Sequence, residues 1–183
     1  MAKNFTKSLM ASEDIQSLLY TGIFFEGDEK AECHNGALVV KGEVMEHSVY
    51  DGLKDPNVRK ITAPAATTDE VHVVDYVDVS SGDIAGVRYR EGIKTFGLVA
   101  PAGREVRVRI PMKHDTGYFA ADNFIGTPEA GKFAIPTAGS TLWTVVDALD
   151  DTATCVAIEF EKDTTEGMVN TGKEYFVTFA NVI

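Results

Sequence analysis

The clearest predicted strand is 104–110, in which residues 105–110 alternate strictly between charged and apolar side chains. The apolar members, which share one side of an extended chain, are Val106, Val108 and Ile110. Arg107 and Arg109 lie on the opposite side. A period of two is typical of a β-strand with one face in a core and the other face in water or against a partner. The chain therefore has to fold so that one face of this strand is buried.

Similar patterns predict strands along most of the chain beyond residue 20. The other predicted strands are 21–25, 36–41, 71–79, 86–89, 93–99, 117–120, 132–135, 141–146, 154–160 and 174–182. Residues 46–70 lack the pattern and contain the turn signal Asp55-Pro56-Asn57, so we expect them to be irregular. About ten short strands separated by Gly, Pro, Asp and Ser turns predict an all-β fold, either a barrel or a sandwich.

Residues 1–20 differ from the rest and are predicted to form an N-terminal arm, which leaves residues 21–183 as the β body. No acidic residue occurs before Glu13, although the whole chain has a formal net charge of −11. Ser12 can cap a short helix. The residues that would share one face of that helix are Ile15, Leu18 and Leu19.

Two interpretations of the arm remain open. The helix can lie on the core of its own molecule, as an ordinary first element of the fold. Alternatively, the arm docks on a partner subunit. The apolar and basic residues available for such docking are Lys3, Phe5, Lys7, Leu9 and Met10.

Charge and composition exclude several classes of function. A net charge of −11 disfavours both a nucleic-acid partner and an anionic membrane, because each needs clustered Lys and Arg. No apolar run approaches the length of a membrane span, and the start of the chain lacks the apolar core of a secretion signal. Cys33 and Cys155 suggest no disulfide framework, so we expect folding in a reducing cytoplasm.

The glycine-rich stretch at 126–132 resembles a phosphate-binding P-loop up to Lys132. The next residue is Phe133, where a P-loop needs the Ser or Thr hydroxyl that binds magnesium. Pro136 follows shortly afterwards and disfavours the helix whose N-terminus would hold the phosphates. The stretch therefore predicts a turn between strands, and a nucleotide-binding enzyme is the disfavoured alternative.

Other signs of chemistry are weak, and we expect no catalytic set, no cofactor and no metal. None of the four histidines has a partner at a useful spacing. The acid clusters, which are more typical of solvated surfaces, are Asp147 with Asp150 and Asp151, Glu159 with Glu161, and Asp75 with Asp78. Trp143 fits a core strand, although sugar-binding proteins also use Trp as a stacking platform.

Three arginines form the most concentrated positive feature of this acidic chain. They are Arg104, Arg107 and Arg109. They can pair with acids across the sheet on a solvent-facing strand. Alternatively, they form an interface charge patch that meets an acidic neighbour in an assembly.

The opening Met-Ala-Lys-Asn-Phe-Thr-Lys, followed by an all-β body, resembles structural head proteins of tailed bacteriophages. The phrase from Asp122-Asn123-Phe124 through Gly126-Thr127-Pro128 to Gly131-Lys132-Phe133-Ala134-Ile135-Pro136 is similar to β-barrel turns in capsid decoration (cement) proteins. That resemblance implies a non-enzymatic virion protein on the capsid surface. Such proteins are often trimers, clamp adjacent major capsid subunits, and in many cases reach across neighbours with an N-terminal arm.

The resemblance assigns the arm to capsid binding. The residues it implies are Lys3, Phe5, Lys7, Leu9, Met10, Ile15, Leu18 and Leu19. The implied partners are the major capsid protein and further copies of the chain. Two alternatives remain, a tail or head-connector protein and a carbohydrate-binding β domain that uses Trp143 and the acid clusters.

Overall fold

A computed structural model describes the protein at residues 19–46, 54–75, 99–149, 156–164 and 174–182. The strands in these ranges are β1 (Leu19–Glu26), β2 (Glu29–Lys30), β3 (Cys33–His34), β4 (Leu38–Glu46), β5 (Lys54–Thr62), β6 (Val71–Val74), β7 (Val99–Ala100), β8 (Glu105–Arg109), β9 (Thr116–Ala120), β10 (Phe124–Ile125), β11 (Phe133–Pro136), β12 (Trp143–Val146), β13 (Val156–Thr164) and β14 (Glu174–Val182). A turn of 3₁₀ helix at Ala121–Asn123 joins β9 to β10. The predicted all-β class is confirmed.

Five of the strands close into a barrel in the order β1-β5-β4-β6-β8, because β8 pairs back onto β1. The pair β1–β5 is parallel and the other pairs around the ring are antiparallel. The short strand β2 adds a hairpin to the end of β1, where Phe25 pairs with Lys30. Closure leaves none of these five strands with an open edge.

The barrel interior is apolar and has contributions from every strand of the ring. Its members are Phe24, Cys33, Ala37, Val39, Ile61, Val74, Ala100, Val106 and Val108. Gly22 is required where β1 approaches β5, because a Cβ there would lie 2.8 Å from Cγ2 of Ile61. The ribbon of β3 and β7 pairs Cys33 with Ala100 and adds both residues to this core.

A second sheet with the strand order β10-β12-β11-β13-β14-β9 packs on one side of the barrel. From the barrel, β4 and β6 contribute Leu38, Val71 and Val73 to the core between the two layers. From the sheet, the core takes Phe119, Phe124, Ala134, Trp143, Val156, Ile158, Phe160, Tyr175, Val177 and Phe179. The predicted alternation of residues 154–160 is thus confirmed where the chain is described.

Polar contacts also join the two layers. The side-chain amide of Asn123 donates to the carbonyl of Asn35 at 2.9 Å, and both residues are completely buried. The backbone N–H of Leu38 donates to the carbonyl of Thr141 at 2.8 Å. Buried hydrogen bonds of this kind have directional requirements, so they define how the second sheet sits on the barrel.

The prediction that residues 46–70 are irregular was wrong, because they include β5. This strand pairs with both β1 and β4. Pro56 lies in a register irregularity between the pairs Val44–Arg59 and Glu46–Lys54, where the ladder does not need its missing N–H. The signal Asp55-Pro56-Asn57 therefore marks a break in pairing within a strand.

Leu19, placed on the helical face of the arm, is instead the first residue of β1 and pairs with Arg109. Pairing with β8 satisfies the backbone hydrogen bonds of Leu19 and Tyr20, and a helix at these residues would lose that pairing. Residues 1–18 lie outside the described part of the chain, as does the predicted strand 86–89. The predicted strand 71–79 is described only at 71–75, and 93–99 only at residue 99.

Candidate functional site: polar clusters and an apolar sheet face

The glycine-rich stretch is a turn that leads from β10 into β11. Gly126 and Gly131 have φ angles of 101° and 82°, which favour glycine. The N–H of Gly131 donates to the carbonyl of Phe160 at 2.8 Å, and the N–H of Phe160 donates back to Lys132 at 3.0 Å. The element that follows is a strand, as the sequence predicted, and not the helix of a P-loop.

The ammonium group of Lys132 is held by two carboxylates. Its Nζ lies 3.0 Å from Glu129 and 3.3 Å from Asp147. Hydrogen bonds to these two acids raise the pKa of Lys132. In a P-loop the lysine reaches nucleotide phosphates. Here the ammonium group is already paired, and Asp147 of the predicted acid cluster is one of its two partners.

Two of the three predicted patch arginines converge on Asp75, which directly follows β6. Nη2 of Arg107 and Nε of Arg109 each donate to the same oxygen, Oδ2 of Asp75, at 2.6 Å. The side chain of Arg107 is 46% exposed, whereas that of Arg109 is 3% exposed. Arg109 pairs with Val73 on the side of the barrel that faces the second sheet. Arg104 lies exposed in the turn before β8.

A second polar cluster lies at the end of the barrel where β1 begins. The hydroxyl of Tyr20 is 2.7 Å from Nδ1 of His72, and Nε2 of His72 is 3.2 Å from Oε1 of Glu70. The two rings meet edge to face, with centroids 5.4 Å apart. Nζ of Lys41 lies 4.9 Å from the centre of the Tyr20 ring. We call these four residues the barrel-mouth cluster.

Hydrogen bonding and burial define the protonation states of this cluster. The Glu70 carboxylate accepts from Nε2–H of His72, which leaves Nδ1 to accept from Tyr20. Burial lowers the pKa of His72 from its ordinary value of 6.5, and the hydrogen bond to Glu70 opposes that shift. Burial, reinforced by the Glu70 charge, raises the pKa of Tyr20. Both groups are therefore neutral at pH 7, and both ring nitrogens of His72 are engaged.

This cluster was not predicted from the sequence, since no histidine was expected to have a partner. Glu70 could have been found, because it lies two positions before His72, a spacing that puts two side chains on the same side of an extended chain. Tyr20 could not have been found, because it lies on a different strand, 52 positions away. His34 lies in β3 and His114 precedes β9, whereas His47 falls outside the described residues.

The remaining candidates for chemistry are placed as follows. Trp143 is completely buried between the layers, with its ring 6.0 Å from that of Phe119, so its ring is not accessible to a sugar. Cys33 is buried, and burial raises the pKa of its thiol to about 12. Cys155, Asp78, Asp150 and Asp151 lie outside the described residues.

The described ranges contain no group of three or more His, Cys, Asp or Glu side chains placed to hold a metal ion. Within the same ranges, no helix is long and apolar enough to span a membrane.

The outer face of the second sheet, which points away from the barrel, is rich in apolar side chains. They alternate along each strand with residues of the buried core. The outward apolar residues are Tyr118, Ile125, Phe133, Ile135, Val146 and Phe176. Ile125 is 45% exposed, Tyr118 is 42% exposed, and the other four are partly buried. We call this set the outer sheet face.

The structure describes only one of the arm residues that were predicted to bind a capsid. Leu19 is in β1. The others, which are Lys3, Phe5, Lys7, Leu9, Met10, Ile15 and Leu18, lie outside the described residues.

The chain matches no protein-family model, no curated protein and no solved structure with which it was compared.

Proposed function

We propose that this chain is a non-enzymatic structural protein of a tailed-phage virion. It binds the outside of the capsid and stabilises contacts between major capsid subunits. It is made in the host cytoplasm and assembles as a homo-oligomer, for which the resemblance to decoration proteins favours a trimer. The observation that carries the proposal is the outer sheet face, where Ile125 is 45% exposed and Tyr118 is 42% exposed, because exposed apolar side chains grouped on one face favour a protein interaction site.

The architecture supports a mechanical role. The barrel ring is closed, and a core shared between Val73 and Trp143 joins it to the second sheet. The buried Asn35–Asn123 hydrogen bond adds a directional link between the layers. Close-packed interiors of this kind resist deformation. A body that resists deformation can hold two capsid subunits at a defined separation.

The arm supplies the first contact with the capsid in this proposal. Phe5, Leu9 and Met10 are its apolar anchors, and Lys3 and Lys7 make residues 1–12 locally positive although the whole chain is acidic. Many copies arranged on a symmetric lattice make even a weak contact of each copy effective.

Deletion of residues 1–18 tests this role. The cut falls before Leu19 because Leu19 and Tyr20 pair with Arg109 and Val108 in the barrel. We expect the truncated protein to keep the circular dichroism and melting temperature of the full chain and to lose co-sedimentation with capsids that lack the protein. Unchanged capsid binding by the truncated protein would contradict the proposal.

A matched pair of double variants tests whether the apolar side chains of the arm, and not its polar residues, are needed for capsid binding. We expect Phe5→Ser with Leu9→Ser to weaken capsid binding, and Asn4→Ser with Thr6→Ser to leave it unchanged. Equal effects of the two pairs would show that the apolar side chains are not the anchors.

Binding to isolated tails in place of capsids would support the tail or head-connector alternative. The mass of the free assembly would distinguish a trimer from a ring of six.

A further inference from the structure

We propose that the barrel-mouth cluster is a pH-dependent latch, which holds the first two residues of β1, Leu19 and Tyr20, on the barrel at neutral pH and releases them in acid. The latch lies where the predicted arm meets the β body. The inference goes beyond the proposed function and does not depend on it, because it rests on the pairing of β1 and on the contacts of His72.

The start of β1 is paired on one side only in the described sheet. Leu19 and Tyr20 pair with β8, whereas the pairing of β1 with β5 begins at Thr21. From Thr21 to Ile23, β1 has a neighbouring strand on both sides. A strand end with ladder partners on one side opens more readily than the doubly paired strand behind it. A side-chain contact at Tyr20 therefore has a large effect on how firmly this end is held.

Tyr20 makes such a contact across the mouth of the barrel. Its hydroxyl lies 2.7 Å from Nδ1 of His72, whose side chain is only 3% exposed. His72 belongs to β6, and β1 and β6 both pair with β8 but not with each other in the described sheet. The hydrogen bond therefore joins two strands that share no backbone ladder.

Protonation of His72 removes the acceptor on which the latch depends. The neutral ring accepts from Tyr20 at Nδ1 and donates from Nε2 to Glu70, whereas the protonated ring donates from both nitrogens. The hydroxyl of Tyr20 must then turn its own proton away from the ring. The cations beside it, Lys41 and Arg59, offer no acceptor. Water supplies that acceptor when the strand end opens.

The charges around His72 define the pH range of the latch. Burial lowers the pKa of His72 below its ordinary value of 6.5, the hydrogen bond and charge of Glu70 oppose this shift, and the charge of Lys41 adds to it. From β8, the barrel interior receives the apolar Val108. The latch is therefore fully closed above pH 6.5. Below it, the ratio of closed to open forms falls towards the folded pKa, by at most about tenfold per pH unit.

Amide exchange of the full chain, followed by NMR, tests the latch. Protection factors, which correct for the effect of pH on intrinsic exchange, are measured at pH 7.5 and pH 5 with and without low concentrations of urea. We expect acid to lower the protection of Leu19 and Tyr20 by about tenfold. Urea should have little effect on it, because a local opening exposes little surface. Gly22 and Ile23 of the same strand should be more protected and should respond to urea. If Leu19 and Tyr20 exchange only in step with Gly22 and Ile23, the inference is overturned.

A pair of charge variants gives shifts of opposite sign. We expect Glu70→Gln to move the NMR titration of His72 and the acid opening to lower pH, and Lys41→Gln to move both to higher pH. Each shift should be roughly half a pH unit, because both side chains are exposed. The control Glu43→Gln, at an exposed position of β4, should shift neither. Shifts of the same sign would contradict the latch.

Two further variants remove the latch itself. We expect Tyr20→Phe and His72→Gln to show, already at pH 7.5, the low protection of Leu19 that the unaltered protein shows in acid, with little further change at pH 5. A full acid response in either variant would refute the inference. The exposed variants at Glu70 and Lys41 keep the test decisive if the buried substitutions fail to fold. Capsid binding enters none of these measurements, so the proposed function is tested separately.

Discussion

The hydroxyl of Tyr20 lies 2.7 Å from Nδ1 of His72 and joins two barrel strands through residues 52 positions apart. Tyr20→Phe removes the donor and leaves a buried ring nitrogen without a partner. We expect the free energy of unfolding to fall by about 1–3 kcal/mol, as measured by urea denaturation. Tyr118→Phe is the control, because it removes a hydroxyl from a residue that is 42% exposed and should cost less than about 0.5 kcal/mol.

The barrel-mouth cluster makes stability depend on pH. Burial lowers the pKa of His72 in the folded state below its ordinary value of 6.5, so the unfolded chain binds the proton more tightly. The contribution of His72 is therefore fully present above pH 6.5 and decreases as the pH falls towards the folded pKa.

Denaturation curves between pH 7.5 and pH 5 check this dependence. We expect the His72 contribution to approach a loss of about 1.4 kcal/mol per pH unit, the limit for one proton. The variant His72→Gln should lack this component. Curves of His72→Gln that run parallel to those of the unaltered protein would show that other groups cause the dependence.

The ion cluster at Asp75 predicts that substitutions of its members lower the free energy of unfolding by unequal amounts. Asp75→Asn leaves the buried Arg109 without its carboxylate, so we expect a loss of about 3 kcal/mol in the free energy of unfolding. Arg107→Gln removes a half-exposed partner and should cost less than about 1 kcal/mol. Thermal and urea denaturation of both variants check the order, and a larger cost for Arg107→Gln would contradict the assignment.

Gly22 predicts a steric coupling inside the barrel. A methyl group at this position would lie 2.8 Å from Cγ2 of Ile61, which is completely buried. We expect Gly22→Ala to destabilise the fold by about 1–3 kcal/mol through overpacking. Ile61→Val should cost about 1 kcal/mol alone, yet recover part of the loss in the double variant. If the losses in free energy of unfolding from Gly22→Ala and Ile61→Val are strictly additive in the double variant, the predicted contact between residues 22 and 61 is ruled out.

The glycine turn predicts no nucleotide binding. The ammonium group of Lys132 is already paired with Glu129 and Asp147, and a strand follows the turn. Titration calorimetry with MgATP and MgGTP should give no heat of binding, and Lys132→Ala should give the same baseline. A dissociation constant below about 1 mM, with an affinity lost in Lys132→Ala, would contradict this assignment.

Local patterns predicted most of the described strands. The alternation at 104–110 correctly placed Val106 and Val108 in a core, and the predicted strand 174–182 coincides with β14. These predictions succeed because the period of two in a strand is a property of neighbouring residues. The turn at 126–132 was predicted for the same reason, since glycine and proline act on the local backbone.

The errors arose where the outcome depends on distant residues. Pro56 signals a turn locally, but β1 and β4 recruit its segment into β5. Arg109 alternates outward from the barrel as predicted, yet it is buried with Asp75 because it lies on the side that the second sheet covers. Glu70 could be matched to His72 from their spacing, whereas Tyr20 could not.

The sequence by itself therefore determined the all-β class, most strand positions and which face of each strand is apolar, because these depend on side-chain periodicity and local turn chemistry. Only the tertiary structure decided that five strands close into a ring, that the second sheet covers β4 and β6, and that Tyr118 and Ile125 are the exposed large apolar side chains among the described residues of that sheet. Those features depend on pairing between strands far apart in the chain and on which faces of the described sheets pack against each other.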